Sequence, residues 1–333
     1  MKISLFLFSL FSRLVSKLKN LLYKEKILEP KKASLPVISI GNIALGGTEK
    51  TPLAMELMSF LVRQGKRPAL ISRGYKGKWE RKGGVLSDGK QVFGAWKDCG
   101  DEPFMLSQNI PQAGIFIGKE RLASCQKAKD LGFEVGVLDD GFQHRRLFRD
   151  LDIVLYDPQE KIALREGVSS LERADILLLK KGEASSKIEK MRQTLSQTAI
   201  FEYSVRSLGF FRLGIKEVLP TKSFKGKRIL AFCGIARSER FLSLLQEEGM
   251  DILYFYNFPD HYSYPSSALG KIAKKYHELQ PHAAITTEKD AIKIISDQNF
   301  LEKISVYYLK IGLELEKNFY ESLIAFFQTK SQV

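Results

Sequence analysis

The sequence predicts an α/β protein: a mostly parallel sheet with helices on both faces, a smaller second α/β unit, and a membrane-associated helix at the N-terminus. Three observations predict it. From residue 36 onward, short apolar runs alternate with helical patterns, as in chains built of strand–helix–strand units. The runs are rich in Val, Ile and Leu with no polar face, which is the composition of strands buried on both sides. A glycine-rich turn joins the first run to the first helix, where open α/β sheets bind their ligands. The length of 333 residues agrees, since about 150 residues per domain gives two.

Residues 1–24 form the first element. Leu7, Leu10, Phe11, Leu14, Leu18, Leu21 and Leu22 recur at helical spacing as one apolar stripe, with Arg13, Lys17 and Lys19 mostly off it. That pattern suits a helix lying in a bilayer interface beside anionic lipid. Two readings compete: an amphipathic helix packed on the protein's own core, and a cleaved signal peptide. The signal lacks a small-residue cleavage site, because the segment runs straight into Lys17, Lys19 and Lys24. No run of about 18 uncharged apolar residues occurs, which argues against a long conventional span.

Strands then follow at Pro36–Gly41, Pro68–Ser72, Gly114–Ile117, Val135–Asp139, Ile153–Tyr156 and Ile176–Leu179. Helices fall near 51–64, 103–109, 119–131 and 168–173, which defines a unit over 25–200. Residues 201–226 are extended and punctuated by Ser, Gly, Pro and Lys, and read as a linker. A second series fills 227–333, with strands at Ile229–Cys233, Ile252–Tyr256, Ala283–Thr287 and Val306–Leu309 and helices near 238–248, 265–277 and 314–328.

Composition bounds the function. Hydrophobic residues at 44% and charged residues at 27% exclude a largely disordered or fibrous chain. Lys and Arg number 52 against 38 Asp and Glu, and the resulting +14 implies an acidic partner: nucleic acid, an anionic membrane surface or a phosphorylated substrate. No RRM-like, helix-turn-helix or zinc motif accompanies the charge, which argues against a nucleic-acid-binding NTPase. Cys99, Cys125 and Cys233 are too few and too scattered for a disulfide framework, so a reducing compartment is the simplest reading.

The chemistry gathers at strand ends. Between the first strand and the first helix lies Gly41–Pro52, where Gly46, Gly47, Thr48 and Glu49 precede Lys50 and Thr51. Such a turn aims backbone N–H groups at phosphates, with Lys50 on the β- and γ-phosphates and the Thr51 hydroxyl on Mg²⁺. The strict GxxxxGK[ST] pattern is broken, because Glu49 and Ala44 occupy its glycine positions; an ordinary Gly-rich turn is the competing reading. The strand at 135–139 ends in Asp139 and Asp140, which is where a P-loop NTPase-like sheet holds its metal; a plain Asp-Gly turn would account for Asp140 and Gly141 alone. Asp101 and Glu102 stand at a helix start, where capping is at least as good a reading as catalysis. Arg73 and Tyr75 follow a strand on a flexible turn. His261, one of four histidines, sits beside Asp260 and could shuttle a proton, though a satisfied structural histidine is the commoner case.

Nine segments in order resemble the tetraacyldisaccharide 4'-kinase family over nearly the whole chain. They are Asn20–Tyr23, Ile38–Asn42, Gly46–Pro52, Ser72–Tyr75, Gly100–Pro103, Asp139–Arg146, Leu164–Glu166, Phe258–His261 and Thr286–Asp290. The resemblance implies transfer of the ATP γ-phosphoryl, with Mg²⁺, to the 4'-hydroxyl of a tetraacylated glucosamine disaccharide 1-phosphate, giving lipid IVA. It implies the cytoplasmic face of the bacterial inner membrane, attached peripherally or by a single N-terminal anchor, and a monomer with no nucleic-acid partner. By position, Gly46, Gly47, Thr48, Glu49, Lys50 and Thr51 match the ATP-binding turn, and Thr51, Asp139 and Asp140 the metal site. Asp101 and His261 match a catalytic pair, Asp101 as base for the sugar hydroxyl and His261 tuning or orienting it. Arg73, Tyr75, Glu102, Arg121, His144, Arg165 and Glu166 match positions on the substrate side. The family usually has Gly at Glu49 and Pro at Gly167, and a Pro-Ala-Gly segment where Glu160–Ala163 stands. The alternative reading follows from Glu49: a catalytically impaired, membrane-bound lipid-binding homologue.

Overall fold

A computed structural model describes residues 15–44, 49–157, 164–182 and 185–331. The first fourteen residues of the expected N-terminal helix, and Gly46, Gly47 and Thr48 of the expected ATP-binding turn, lie outside the described residues. Helix α1 covers residues 15–24. The chain continues through β1 (Val37–Asn42), α2 (Lys50–Arg63), β2 (Pro68–Ser72), α3 (Trp79–Lys82), β3 (Gly84–Asp88), α4 (Trp96–Cys99), α5 (Asp101–Asn109), β4 (Gly114–Ile117), α6 (Arg121–Asp130), β5 (Val135–Leu138), β6 (Leu151–Tyr156), β7 (Ile176–Lys180) and α7 (Ser185–Thr194). It then runs through β8 (Ala199–Arg212), β9 (Val218–Leu219), β10 (Arg228–Cys233), α8 (Ser238–Glu247), β11 (Asp251–Asn257), α9 (Ser266–Leu279), β12 (Ala283–Thr287), α10 (Glu288–Ile294), α11 (Gln298–Leu301), β13 (Val306–Leu315) and α12 (Lys317–Ser331).

All these strands join one sheet in the order β11-β10-β12-β13-β8-β7-β6-β1-β5-β2-β4-β3, with β9 beside β8. Every residue of β1, β2, β4, β5 and β6 is buried, as continuous apolar runs require when helices cover both faces. Pairings are parallel except β3 with β4, β8 with β13 and β8 with β9. β1 lies between β5 and β6, so the chain leaves it first toward β2 and later returns on its other side. That reversal opens a crevice at the carboxyl ends of β1 and β5. There the backbone packs closely: a Cβ on Gly41 would overlap the Cβ of Phe142.

Two departures from the expected organisation concern the second half. Residues 201–226 are not a loose linker. Most of β8 lies there, pairing parallel with β7 up to Tyr203 and antiparallel with β13 from Tyr203 to Arg212, followed by β9 and a 3-10 turn. Ser204, Ser207 and Gly209 read as linker residues, yet the ladder needs only their backbone groups. The C-terminal helix α12, expected in the second unit, packs into the first core. Phe319 and Leu323 share a cluster with Leu53 and Leu57 of α2, and the Phe60 and Tyr320 rings lie 5.1 Å apart. Each such apolar side chain contributes about 1.5–3 kcal/mol by leaving water.

Candidate active site

The turn after β1 re-enters the described chain at Glu49, whose backbone is left-handed (φ 53°), and α2 begins at Lys50. Lys50 Nζ lies 3.3 Å from Asp140 Oδ1, and Arg165 donates to Asp140 Oδ2 at 2.7 Å. Asp139 continues the line of β5, its N–H donating to the Ile71 carbonyl and its Oδ2 accepting from Ser72 Oγ at 3.1 Å. These neighbouring acids are driven apart. Burial, then the carboxylates of Glu102 and Asp140, push the Asp139 carboxyl up to about 6. Burial presses the same way on Asp140, but the charges of Lys50 and Arg165 outweigh it and hold that carboxyl at about 2.

Across the crevice, α5 starts with Asp101 and Glu102, and the loop after β11 presents His261 with left-handed backbone (φ 62°). His261 Nδ1 is 2.8 Å from Asp101 Oδ2. Asp101 is buried, which alone would raise its pKa, yet the His261 hydrogen bond and the charges of Lys289 and Lys293 hold it well below the usual carboxylate range. With Asp101 ionised, Nδ1 carries the proton and donates. The Tyr75 ring meets His261 edge-on at 5.5 Å. Asp101, Glu102 and His261 bring three ligand atoms within 4.8 Å of one another, as a metal site would. Lys289, 2.9 Å from Glu102, and Lys293, 3.3 Å from Asp101, already supply the positive charge there, so this cluster is not read as a cation site.

The two groups face one cavity of about 1180 Å³. Lys50, Thr51, Asp101, Glu102, Asp139 and Asp140 line it, and so do Arg73, Tyr75, Arg121, His144 and Arg165. Arg121 is buried and donates to the Gly118 carbonyl at 2.8 Å; Arg73 Nε lies 2.5 Å from Glu80. Burial and the surrounding cations Arg121, Lys19, Arg149 and Arg146 depress His144 to about 4, so the imidazole is neutral at pH 7. Glu166 is the exception among the expected substrate-side residues. It is buried off the cavity, accepting from Arg173 at 2.5 Å and from Asn20 of α1 at 3.1 Å, so it fastens the N-terminal helix instead.

Glu49 itself is turned aside. Its Oε1 accepts from Arg240 of α8 at 2.5 Å and its Oε2 from the Tyr203 hydroxyl at 3.4 Å, while Arg240 also donates to Asp157 at 2.5 Å. The negative charge expected to oppose phosphate is thus paired with a guanidinium. Sequence reading missed Arg240, Lys289 and Lys293. Lys289 lies in the Thr286–Asp290 segment, which signalled the region but not the role. Arg240 is 191 residues from Glu49, beyond any spacing rule.

Fold and cleft together are those of a P-loop kinase-like phosphotransferase. Comparison with known proteins narrows the class: the family model described as tetraacyldisaccharide-1-P 4'-kinase matches residues 1–328, and the chain belongs to that family. A tetraacyldisaccharide 4'-kinase of Pelobacter propionicus is 34% identical over 316 residues, 91% of this chain and 86% of that one. The enzyme of the same name from Desulfotalea psychrophila is 34% identical over 326 residues, covering 93% and 92%. A crystal structure of LpxK from Aquifex aeolicus in complex with ATP matches with TM-score 0.74 at 28% identity, over 98% of this chain and 99% of that one. Neither these likenesses nor the pairing of Glu49 with Arg240 supports the reading of an impaired homologue.

Proposed function

We propose that the protein transfers the γ-phosphoryl group of ATP to the 4'-hydroxyl of a tetraacylated glucosamine disaccharide 1-phosphate, the acceptor class of its family. One observation carries the reading: the Asp101–His261 pair and the Lys50–Asp139–Asp140 group face each other across a single cavity. Lys50, at the start of α2, draws the β- and γ-phosphates to the helix N-terminus. Asp101 accepts the 4'-hydroxyl proton as that oxygen bonds to the γ-phosphorus, and the bond from phosphorus to the departing ADP breaks. His261, hydrogen-bonded through Nδ1, fixes the carboxylate's aim. Thr51, Asp139 and Asp140 fit a Mg²⁺ ion, because Asp139 is a half-buried carboxylate crowded by the charges of Glu102 and Asp140; an ion held there would neutralise charge on the phosphate oxygens. The transfer needs positioning and charge neutralisation more than covalent chemistry, and these groups supply both.

The same proposal divides the molecule into two units about the cleft, 25–200 and 227–333, with α12 packed on the first. It also takes the protein as a monomer held peripherally on the cytoplasmic face of an anionic inner membrane by α1. Val15, Leu18 and Leu21 of α1 are exposed apolar side chains, which supports an interfacial helix. Among the described residues no helix is long and apolar enough to cross a membrane.

The test is direct. Purified protein with labelled ATP, Mg²⁺ and the tetraacyl acceptor in detergent yields labelled product, and Asp101→Ala abolishes it. Absence of transfer from the parent, in conditions where the Pelobacter enzyme works, defeats the reading.

A further inference from the structure

Helix α10 takes no part in the steps above, yet its polar side chains converge on α5. Lys293, its side chain only 1% exposed, places Nζ 3.3 Å from Asp101 Oδ2 and 3.2 Å from Asp290 Oδ1. Lys289 Nζ lies 2.9 Å from Glu102, 3.9 Å from Asp101 Oδ2 and 3.8 Å from Asp260. Glu288 accepts from Asn109, at the far end of α5, at 2.8 Å. Behind Lys293, Asp290 accepts the Gly234 N–H at 2.9 Å, and the Gly234 carbonyl accepts the His261 N–H at 3.0 Å. The links close a ring from Asp101 through Lys293, Asp290, Gly234 and His261 back to Asp101.

Burying an ammonium group is costly unless it is paired, and Asp290 alone would pair it. Seating it between Asp290 and Asp101 gives the second contact a purpose beyond packing. We propose that Lys293, seconded by Lys289, is a positioning residue of the phosphoryl transfer, pinning Asp101 through Oδ2 and tying its aim to the His261 loop. His261, Lys293 and Lys289 all crowd Oδ2, whereas Oδ1 accepts the Glu102 N–H at 3.0 Å. Oδ1 is then the oxygen left to take the acceptor's proton. The inference rests on the kinase reading above.

The experiment separates fold from function. Lys293→Met lowers kcat by about 100-fold, with KM for ATP within about threefold of the parent, but it also strands Asp290. The double variant Lys293→Met, Asp290→Asn removes that stranded charge, so its melting temperature recovers while kcat stays low. Lys289→Gln lowers kcat about tenfold and Lys289→Arg restores it, which decides the matter if the Lys293 variants do not fold. A double variant that regains both stability and kcat overturns the proposal, as does Lys289→Gln at the parent's kcat. An inactive parent overturns the kinase reading itself; an active parent with unmoved variants overturns this inference alone.

Discussion

Glu49, Asp140, His261 and Tyr264 all hold left-handed backbone without being glycine, each at a cost of about 1 kcal/mol or more that the surrounding contacts must meet. At Glu49 the compensation is visible in Arg240 and Tyr203. Arg240→Met would remove the guanidinium that pairs with Glu49 next to Lys50, so KM for ATP rises about tenfold; adding Glu49→Gly brings it partly back, as steady-state kinetics on the pair will register. His144 supplies a pH prediction. The unfolded imidazole binds a proton below about 6.5, the folded one only below about 4. Its contribution to stability is therefore complete above pH 6.5 and is lost as pH falls toward 4, a loss of a few kcal/mol at most. Melting temperatures measured from pH 4 to 7 should drop less steeply in His144→Gln. The carboxylates at 139 and 140 were legible because strand-end acids beside a glycine-rich turn form a local pattern. Arg240 was not, because only folding brings it to Glu49.

Among the elements, the buried parallel strands and α2 announced themselves through apolar runs and helical period, and their boundaries moved by a residue or two. α10 did not: seven residues are too few for a period, and its worth lies in charges aimed at α5. β8 hid behind serines and a glycine, since a strand between β7 and β13 is defined by its ladder more than by its side chains. Helix α1 divides its labour. Lys19 donates to the Gln143 carbonyl at 2.8 Å and Asn20 to Glu166, which fixes one side to the protein, while Leu18 and Leu21 face outward. Leu18→Glu with Leu21→Glu should cut sedimentation with anionic vesicles about tenfold or more and leave the melting temperature within about 2 °C. Asn20→Ala should do the reverse, loosening α1 from Glu166 at a cost of about 1 kcal/mol.

For the molecule as a whole, the sequence showed two α/β series but not how they share a core. α12 returns to cover α2, so the first half is not complete without the second's chain. Phe319→Ala should destabilise the entire protein by about 3–5 kcal/mol in denaturant melts, and a chain ending at residue 226 should not fold, because the apolar face of α2 stays bare. β8 carries the deeper consequence. A strand held in a ladder along its whole length, by β7 up to Tyr203 and by β13 from there on, cannot flap like a tether. A change in the width of the cleft would strain that ladder on one side of Tyr203 or the other. Tyr203, where the ribbon changes partners and whose hydroxyl touches Glu49, ties that switch point to the residue just before Lys50, as a pawl rests on the wheel it checks.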